Sequence, residues 1–199
     1  MDLHARFLSF ARSHGAEPQT AEAWWQTVAA HYREPHRHYH TLRHIEEMLD
    51  LLPDADETTL AAVWFHDVVY GGDVNEERSA ALARHALADL QFPAGAIDVV
   101  ATMIIATKRH DPSSLPPPCH AFLDADLAIL GSDTDRYREY VNAIREEYAW
   151  VPEDVFRDAR ARVLRNFLDR PSIYATDAFR EKFETKAREN MEGEMNGER

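Results

Sequence analysis

Hydrophobic positions recur along this chain at helical spacing almost from end to end. Leu3, Phe7, Phe10 and Ala11 mark one amphipathic face, with Gly15 as its stop. Thr20 is placed to cap a second helix reaching about Glu34, with Trp24, Val28 and Tyr32 on one stripe. A third segment runs from about Tyr39 to Leu52 and meets Pro53. A fourth runs from about Glu57 to Tyr70 and meets Gly71-Gly72. Asn75 suits the cap of a fifth, Glu76 to Leu90, and Pro93 the first turn of a sixth ending near Thr107. Asp111 to Pro118 is a stiff, proline-rich surface connection. Beyond it the spacing predicts His120 to Leu130, stopped by Gly131, and Thr134 to Ala149, capped by Asp133. Pro152 opens a helix to about Asp169, and the last runs from about Asp177 to Met191. No segment alternates with the period of a strand. The expectation is an all-α helical bundle, a single domain over residues 1–192, with a frayed polar tail at 193–199.

Composition limits the partners. The 199 residues carry 22 Lys+Arg against 35 Asp+Glu, a net charge of −13. So acidic a balance argues against nucleic acid or a membrane surface. A small anionic substrate stays possible, because a metal and a few local bases can reverse the sign within a cleft. Cys119 is the one cysteine, so no internal disulfide forms. The N-terminus lacks the basic start and apolar stretch of a signal peptide, and no apolar run approaches the roughly 20 residues needed to span a bilayer. A cytoplasmic protein is expected. Oligomeric state is open, although Trp24-Trp25 offers more aromatic area than one helix stripe needs.

The chemistry concentrates at His66-Asp67, set inside the apolar run Ala61 to Tyr70, where both side chains would be costly to bury without partners. Neighbours on a helix differ by about 100°, so both reach one ion only against the helix flank or at a loosened turn. His40 and His44, four apart, would share a helix face, and Asp126 comes from a later helix. Ligands from separate helices converging in a packed core are the usual way such metal sites are built. Mixed imidazole and carboxylate ligation suits a divalent metal: Mn, Fe, Ni or Zn, or Mg where oxygen dominates. Four ligands without a thiolate leave positions open for water or substrate, as a catalytic site requires. Asp124 and Asp126 point roughly 200° apart, so one ion sees only one of them. Asp126 shares a face with Phe122 and Ile129, which leaves Asp124 behind the ligands or at the surface.

In order, Tyr39-His40-Thr41-Leu42-Arg43-His44, then His66-Asp67, then Asp126 resemble the HD-domain metal-dependent phosphohydrolases, most closely the small stand-alone members. The likeness extends through 75–80, 121–131 and 184–190. The first motif is also similar to Tyr-His-Asn-x-x-His of the cyclic-nucleotide phosphodiesterases. There the second His binds metal and the first gives a proton to the leaving oxygen. The resemblance implies His44, His66, Asp67 and Asp126 as ligands, His40 as proton donor, and Asp67 also orienting the attacking water. It implies hydrolysis of a small phosphate ester or nucleotide. Thr41 replaces the phosphodiesterase Asn, and the long C-terminal nucleotide pocket is missing, so cyclic nucleotides are not implied.

Phosphate oxygens need cationic or N–H partners; Arg43, Lys108, Arg109 and His110 are candidates. His110 has added weight because the family often carries a His near this point. Basic residues also favour helix C-termini on their own account. Glu76 and Glu77 loosely parallel acids that guanosine-tetraphosphate hydrolases place after the doublet, where one would hold water beside the metal. Arg188 and Asn190 could fold over the site or sit on a solvated helix. Two alternatives stand beside the hydrolase. One is a di-iron oxygenase of the HD fold, which would need His85 and His110 as two further ligands. The other is a metal- or ligand-binding module without turnover.

Overall fold

The structure is a computed structural model and describes residues 2–197. Among these residues there are ten α-helices and no strand, so the protein is all-α. The chain divides into two compact units, the first ending at Phe122 and the second beginning at Leu123.

The first unit holds α1 (Leu3–Ala11), α2 (Pro18–His31), α3 (Leu42–Leu51), α4 (Glu57–Phe65), α5 (Asn75–Asp89) and α6 (Ala94–Ala106). The proline-rich connection forms two 3-10 turns, Pro112–Ser114 and Pro117–Cys119, and α7 (His120–Leu127) contains the division. Ala61 to Phe65 of α4 are all buried, as expected of a helix apolar on every side. Phe7 and Trp25 pack on Trp64 of α4, with ring centroids 5.2 and 6.4 Å away. Trp24 and Trp25 are both buried, and the Trp24 indole donates to Asp89, so no surplus aromatic area is left there.

Several helix boundaries differ from expectation, each for a local reason. Helix α2 begins at Pro18 because proline at the first position needs no N–H acceptor, so Thr20 lies inside it and caps nothing. Helix α3 begins at Leu42: the Thr41 hydroxyl accepts the Arg43 N–H and takes the capping position. Tyr39 and His40 therefore precede the helix, and the shared helix face assigned to His40 and His44 does not exist. Helix α4 stops at Phe65, five residues before the expected end. The bonds that would continue its ladder are diverted: the Trp64 carbonyl accepts from the Tyr32 hydroxyl, the Val68 N–H turns to the Phe65 carbonyl, and the Val69 N–H donates to the Ser79 hydroxyl oxygen. Asn75 is the first residue of α5 and not its cap; its side-chain oxygen accepts the Gly72 N–H instead.

The second unit continues from α7 through a 3-10 turn (Ala128–Gly131) to α8 (Thr134–Glu147), α9 (Glu153–Leu168) and α10 (Asp177–Asn196). Asp133 caps α8 as expected, accepting the Arg136 N–H. The tail expected to fray is helical to Asn196, and Gly197 ends it in the left-handed conformation. Glu194 explains the extension, since it accepts from Arg160 Nε at 2.8 Å, from Arg160 Nη2 at 3.1 Å and from the Tyr137 hydroxyl. Residues 198–199 of that tail lie outside the described residues. No helix among the described residues is long and apolar enough to cross a membrane.

Gly131 fixes how closely α10 approaches the 3-10 turn, because a Cβ built there would lie 2.6 Å from the Phe183 carbonyl oxygen. Backbone cannot yield as a side-chain tip can. Gly131→Ala is expected to cost on the order of 1–3 kcal/mol in urea denaturation. Gly95→Ala, where an added Cβ meets nothing within 4 Å, is the control expected to be neutral or stabilising.

Candidate metal centre

Three of the expected ligands come together in the first unit. His44 projects from the first turn of α3, and His66 and Asp67 occupy the turn that follows α4. His44 and His66 are 2% and 1% exposed, so neither is hydrated in the ordinary way. The ligand atoms of the three residues lie within 4.8 Å of one another. His44 Nε2 is 3.1 Å from His66 Nε2, and His66 Nε2 is 3.1 Å from Asp67 Oδ2.

The hydrogen bonds behind these atoms decide what faces forward. His66 Nδ1 is 3.0 Å from the Val63 carbonyl oxygen, which can only accept, so Nδ1 carries the proton. In the neutral ring Nε2 then bears a lone pair, and it looks toward a carboxylate oxygen and a second imidazole nitrogen. His44 is backed in the same way, with Nδ1 3.2 Å from the Tyr39 hydroxyl. Backing of the second ring nitrogen is how metal-ligating histidines are usually fixed in tautomer and direction. With the Tyr39 hydroxyl accepting from His44 Nδ1, both Nε2 lone pairs and the carboxylate oxygen would be open to one cation. The donor set fits a divalent cation: two imidazoles and a carboxylate, with no thiolate.

His40 stands beside these ligands although it is not on α3. Its Nε2 is 3.9 Å from Asp67 Oδ2, and its ring stacks on Tyr70 with centroids 4.3 Å apart. What holds the assembly is Arg37, whose side chain is fully buried. Its guanidinium donates to the carbonyls of Asp67 at 2.6 Å, Val68 at 2.9 Å and His40 at 3.3 Å, and to Glu34 at 3.0 Å. The rings of Tyr32 and Tyr70 lie 5.1 and 5.5 Å from its carbon centre. One planar cation thus links the backbone before α3 to the turn after α4. Sequence reasoning passed over Arg37, Tyr39 and Tyr70 as contributors. The weak signal for Arg37 was a lone arginine in a short loop between two tyrosine-bearing segments.

The remaining candidates are placed differently. The Arg43 side chain is 58% exposed and pairs with Glu47 one turn along α3. Lys108 pairs with Glu77 and lies 4.0 Å from Glu76. The Lys108 hydrogen bond holds the Glu77 carboxyl below its usual range, and Glu77 in turn raises the Lys108 ammonium. These three residues engage one another, which accounts for them without a ligand. His110 ends α6 in the left-handed region, φ +46, donating its N–H to the Ala106 carbonyl. Such a residue is ordinarily Gly or Asn, and holding a histidine there costs about 1 kcal/mol. The His85 side chain is 70% exposed and lies 3.8 Å from Asp89, which removes one of the two extra ligands that the di-iron alternative needs.

In the second unit, Asp124 and Asp126 separate as the helical spacing requires. Asp124 is buried, not a surface group, and its carboxylate accepts from Ala175 N–H, Thr176 N–H and the Thr176 hydroxyl at 2.7 to 2.8 Å. Asp126 is half-buried on α7. Arg188 is spent on Glu184 and the carbonyls of Leu168 and Arg170, and Asn190 on the carbonyls of Leu130 and Ser132. Both tie the second unit together, neither lying on a solvated face nor left to cover a site. Compared with protein-family models, curated proteins and solved structures, the chain finds no match.

Proposed function

We propose that this chain is a metal-dependent phosphohydrolase of the HD type, with His44, His66, Asp67 and Asp126 as ligands of a divalent cation. The observation that carries the reading is the convergence of His44 Nε2, His66 Nε2 and Asp67 Oδ2, each ring held from behind. Asp126 is taken as the fourth ligand because Asp124 is consumed by backbone and hydroxyl donors of its own unit. When bound, a divalent cation in such a set supplies Lewis acidity, acidifying water and polarising a phosphoryl oxygen. Asp67 has two carboxylate oxygens, so one serves as ligand while the other orients water. His40, in its protonated form, is placed to give a proton to the leaving oxygen, and the Tyr70 ring keeps it from swinging away. Arg43 and His110 are the side chains proposed to meet the phosphate. Lys108 joins them only by leaving Glu77. The substrate class is a small phosphate ester or nucleotide.

The test is metal analysis of the protein without a histidine tag, followed by a panel of phosphate esters and nucleotides with added manganese. His66→Ala is expected to lose metal and turnover while its circular dichroism stays helical; full turnover in this variant would sink the proposal. His40→Gln is expected to keep its metal while kcat falls by about 10²–10⁴. A protein that holds metal but hydrolyses nothing on the panel is a binding module, and the enzyme reading is then wrong.

Arg37 generates a separate expectation. Arg37→Lys keeps the charge, but a single ammonium cannot span the carbonyls of His40, Asp67 and Val68. Manganese affinity should drop by about 10–100-fold in a competition titration, the usual effect of disturbing groups behind metal ligands. Unchanged affinity would show that the turn holds its shape without the guanidinium.

A further inference from the structure

Helix α9 has 16 residues and buries only Leu164. Its inner side is completed by half-buried Phe156, Arg160 and Phe167. Beside this inner side Val155 is 51% and Val163 45% exposed, with exposed Ala159 midway between them. These three positions are four apart and form one apolar ridge along the helix. Trp150, in the turn just before α9, is 81% exposed. Single apolar residues scattered over a surface need no explanation, but an aligned row on a helix preceded by an open tryptophan does.

Charges beside the ridge say what would cover it. At about 100° per residue, Asp154, Asp158, Arg162 and Arg165 lie along one flank, acids in the first half and bases in the second. Among the described residues none of the four has an ion-pair partner. The helix dipole accounts for Asp154 and Arg165 near the ends but fades within one turn, so it does not account for Asp158 and Arg162 in the middle. An internal Asp158–Arg162 pair would be favoured at this spacing, yet it is not formed. A flank of this pattern is complementary to itself when reversed.

We propose that α9 is a homodimer interface, pairing antiparallel with α9 of a second copy about a two-fold axis near Ala159. Around that axis Asp158 faces Arg162 of the second copy and Asp154 faces its Arg165, each contact occurring twice by symmetry. Ala159 at the crossing lets the two helix axes approach to about 8–10 Å. Val155 and Val163 then meet across the seam, and Trp150 covers the end of the opposite helix. The proposal is independent of the metal chemistry.

Sedimentation velocity of the full-length chain over a wide concentration range tests it. The expected result is a monomer–dimer equilibrium that weakens with salt. Asp158→Arg and Arg162→Asp each set like charges opposite one another twice, and each should weaken the dimer on the order of tenfold or more. Mixing the two variants in equal amounts should restore association, because both contacts are then between opposite charges. Both positions are exposed, so thermal melts should match the parent. Three results overturn the proposal: a monomer at every concentration, a dimer indifferent to both substitutions, or two weakened variants that fail to rescue each other. The first would assign the ridge to a different partner.

Discussion

A buried guanidinium has five donors to satisfy, and unpaired charge in a low-dielectric interior costs several kcal/mol. Arg37 meets that demand with three backbone carbonyls and one carboxylate. Because the carbonyls belong to His40, Asp67 and Val68, satisfying the arginine fixes the two backbone segments that carry the site. It also holds the turn after α4, whose ladder is interrupted by Tyr32 at the Trp64 carbonyl and by Ser79 at the Val69 N–H. Released from the helix, the His66-Asp67 pair escapes the roughly 100° divergence of helical neighbours, and both side chains reach one point. The doublet can serve as a ligand pair because it lies in that turn, which an arginine thirty positions earlier holds by its carbonyls.

That dependence explains what the sequence reveals and what it hides. Helices were legible because apolar spacing is a local property, and boundaries such as the Asp133 cap of α8 and the end of α3 before Pro53 followed from signals nearby. The donors His44, His66 and Asp67 were legible as polar residues in places where polarity is costly. The end of α4 was not legible, because no breaker precedes Gly71 and the ladder is diverted by the distant side chains of Tyr32 and Ser79. The same error misplaced His40: Thr41 capped the helix behind it, and geometry that looked like an i, i+4 pair is a loop folded back by Arg37. The end of α10 failed for a similar reason. Glu192 to Gly197 is polar enough to fray, but Glu194 is bound by Arg160 and Tyr137 from α9 and α8.

Charged candidates divide by whether something else already accounts for them. Lys108, Glu76 and Glu77 were attractive for phosphate or water, yet they form a surface group on their own. Exposed pairs of this kind are screened by water, so the pairing says little about stability. It does lower the need for a ligand to explain them. His110 adopts a left-handed backbone while its N–H closes the turn after α6 on the Ala106 carbonyl, and strain of that sort tends to be retained where a side chain must be aimed.

Asp124 and Asp126 show how one short helix can give two carboxylates unrelated work. Two positions on an α-helix diverge by roughly 200°, so both cannot turn to the same neighbour. Three donors from Ala175 and Thr176 occupy Asp124, which fixes the segment leading into α10. A carboxylate so engaged would lose about 1.5–3 kcal/mol per charged hydrogen bond if it turned away to a metal. Several such bonds together hold the carboxylate where it is. The rotation of the helix then turns Asp126 away from Asp124, so the aspartate that anchors this segment is the one removed from the proposed ligand set.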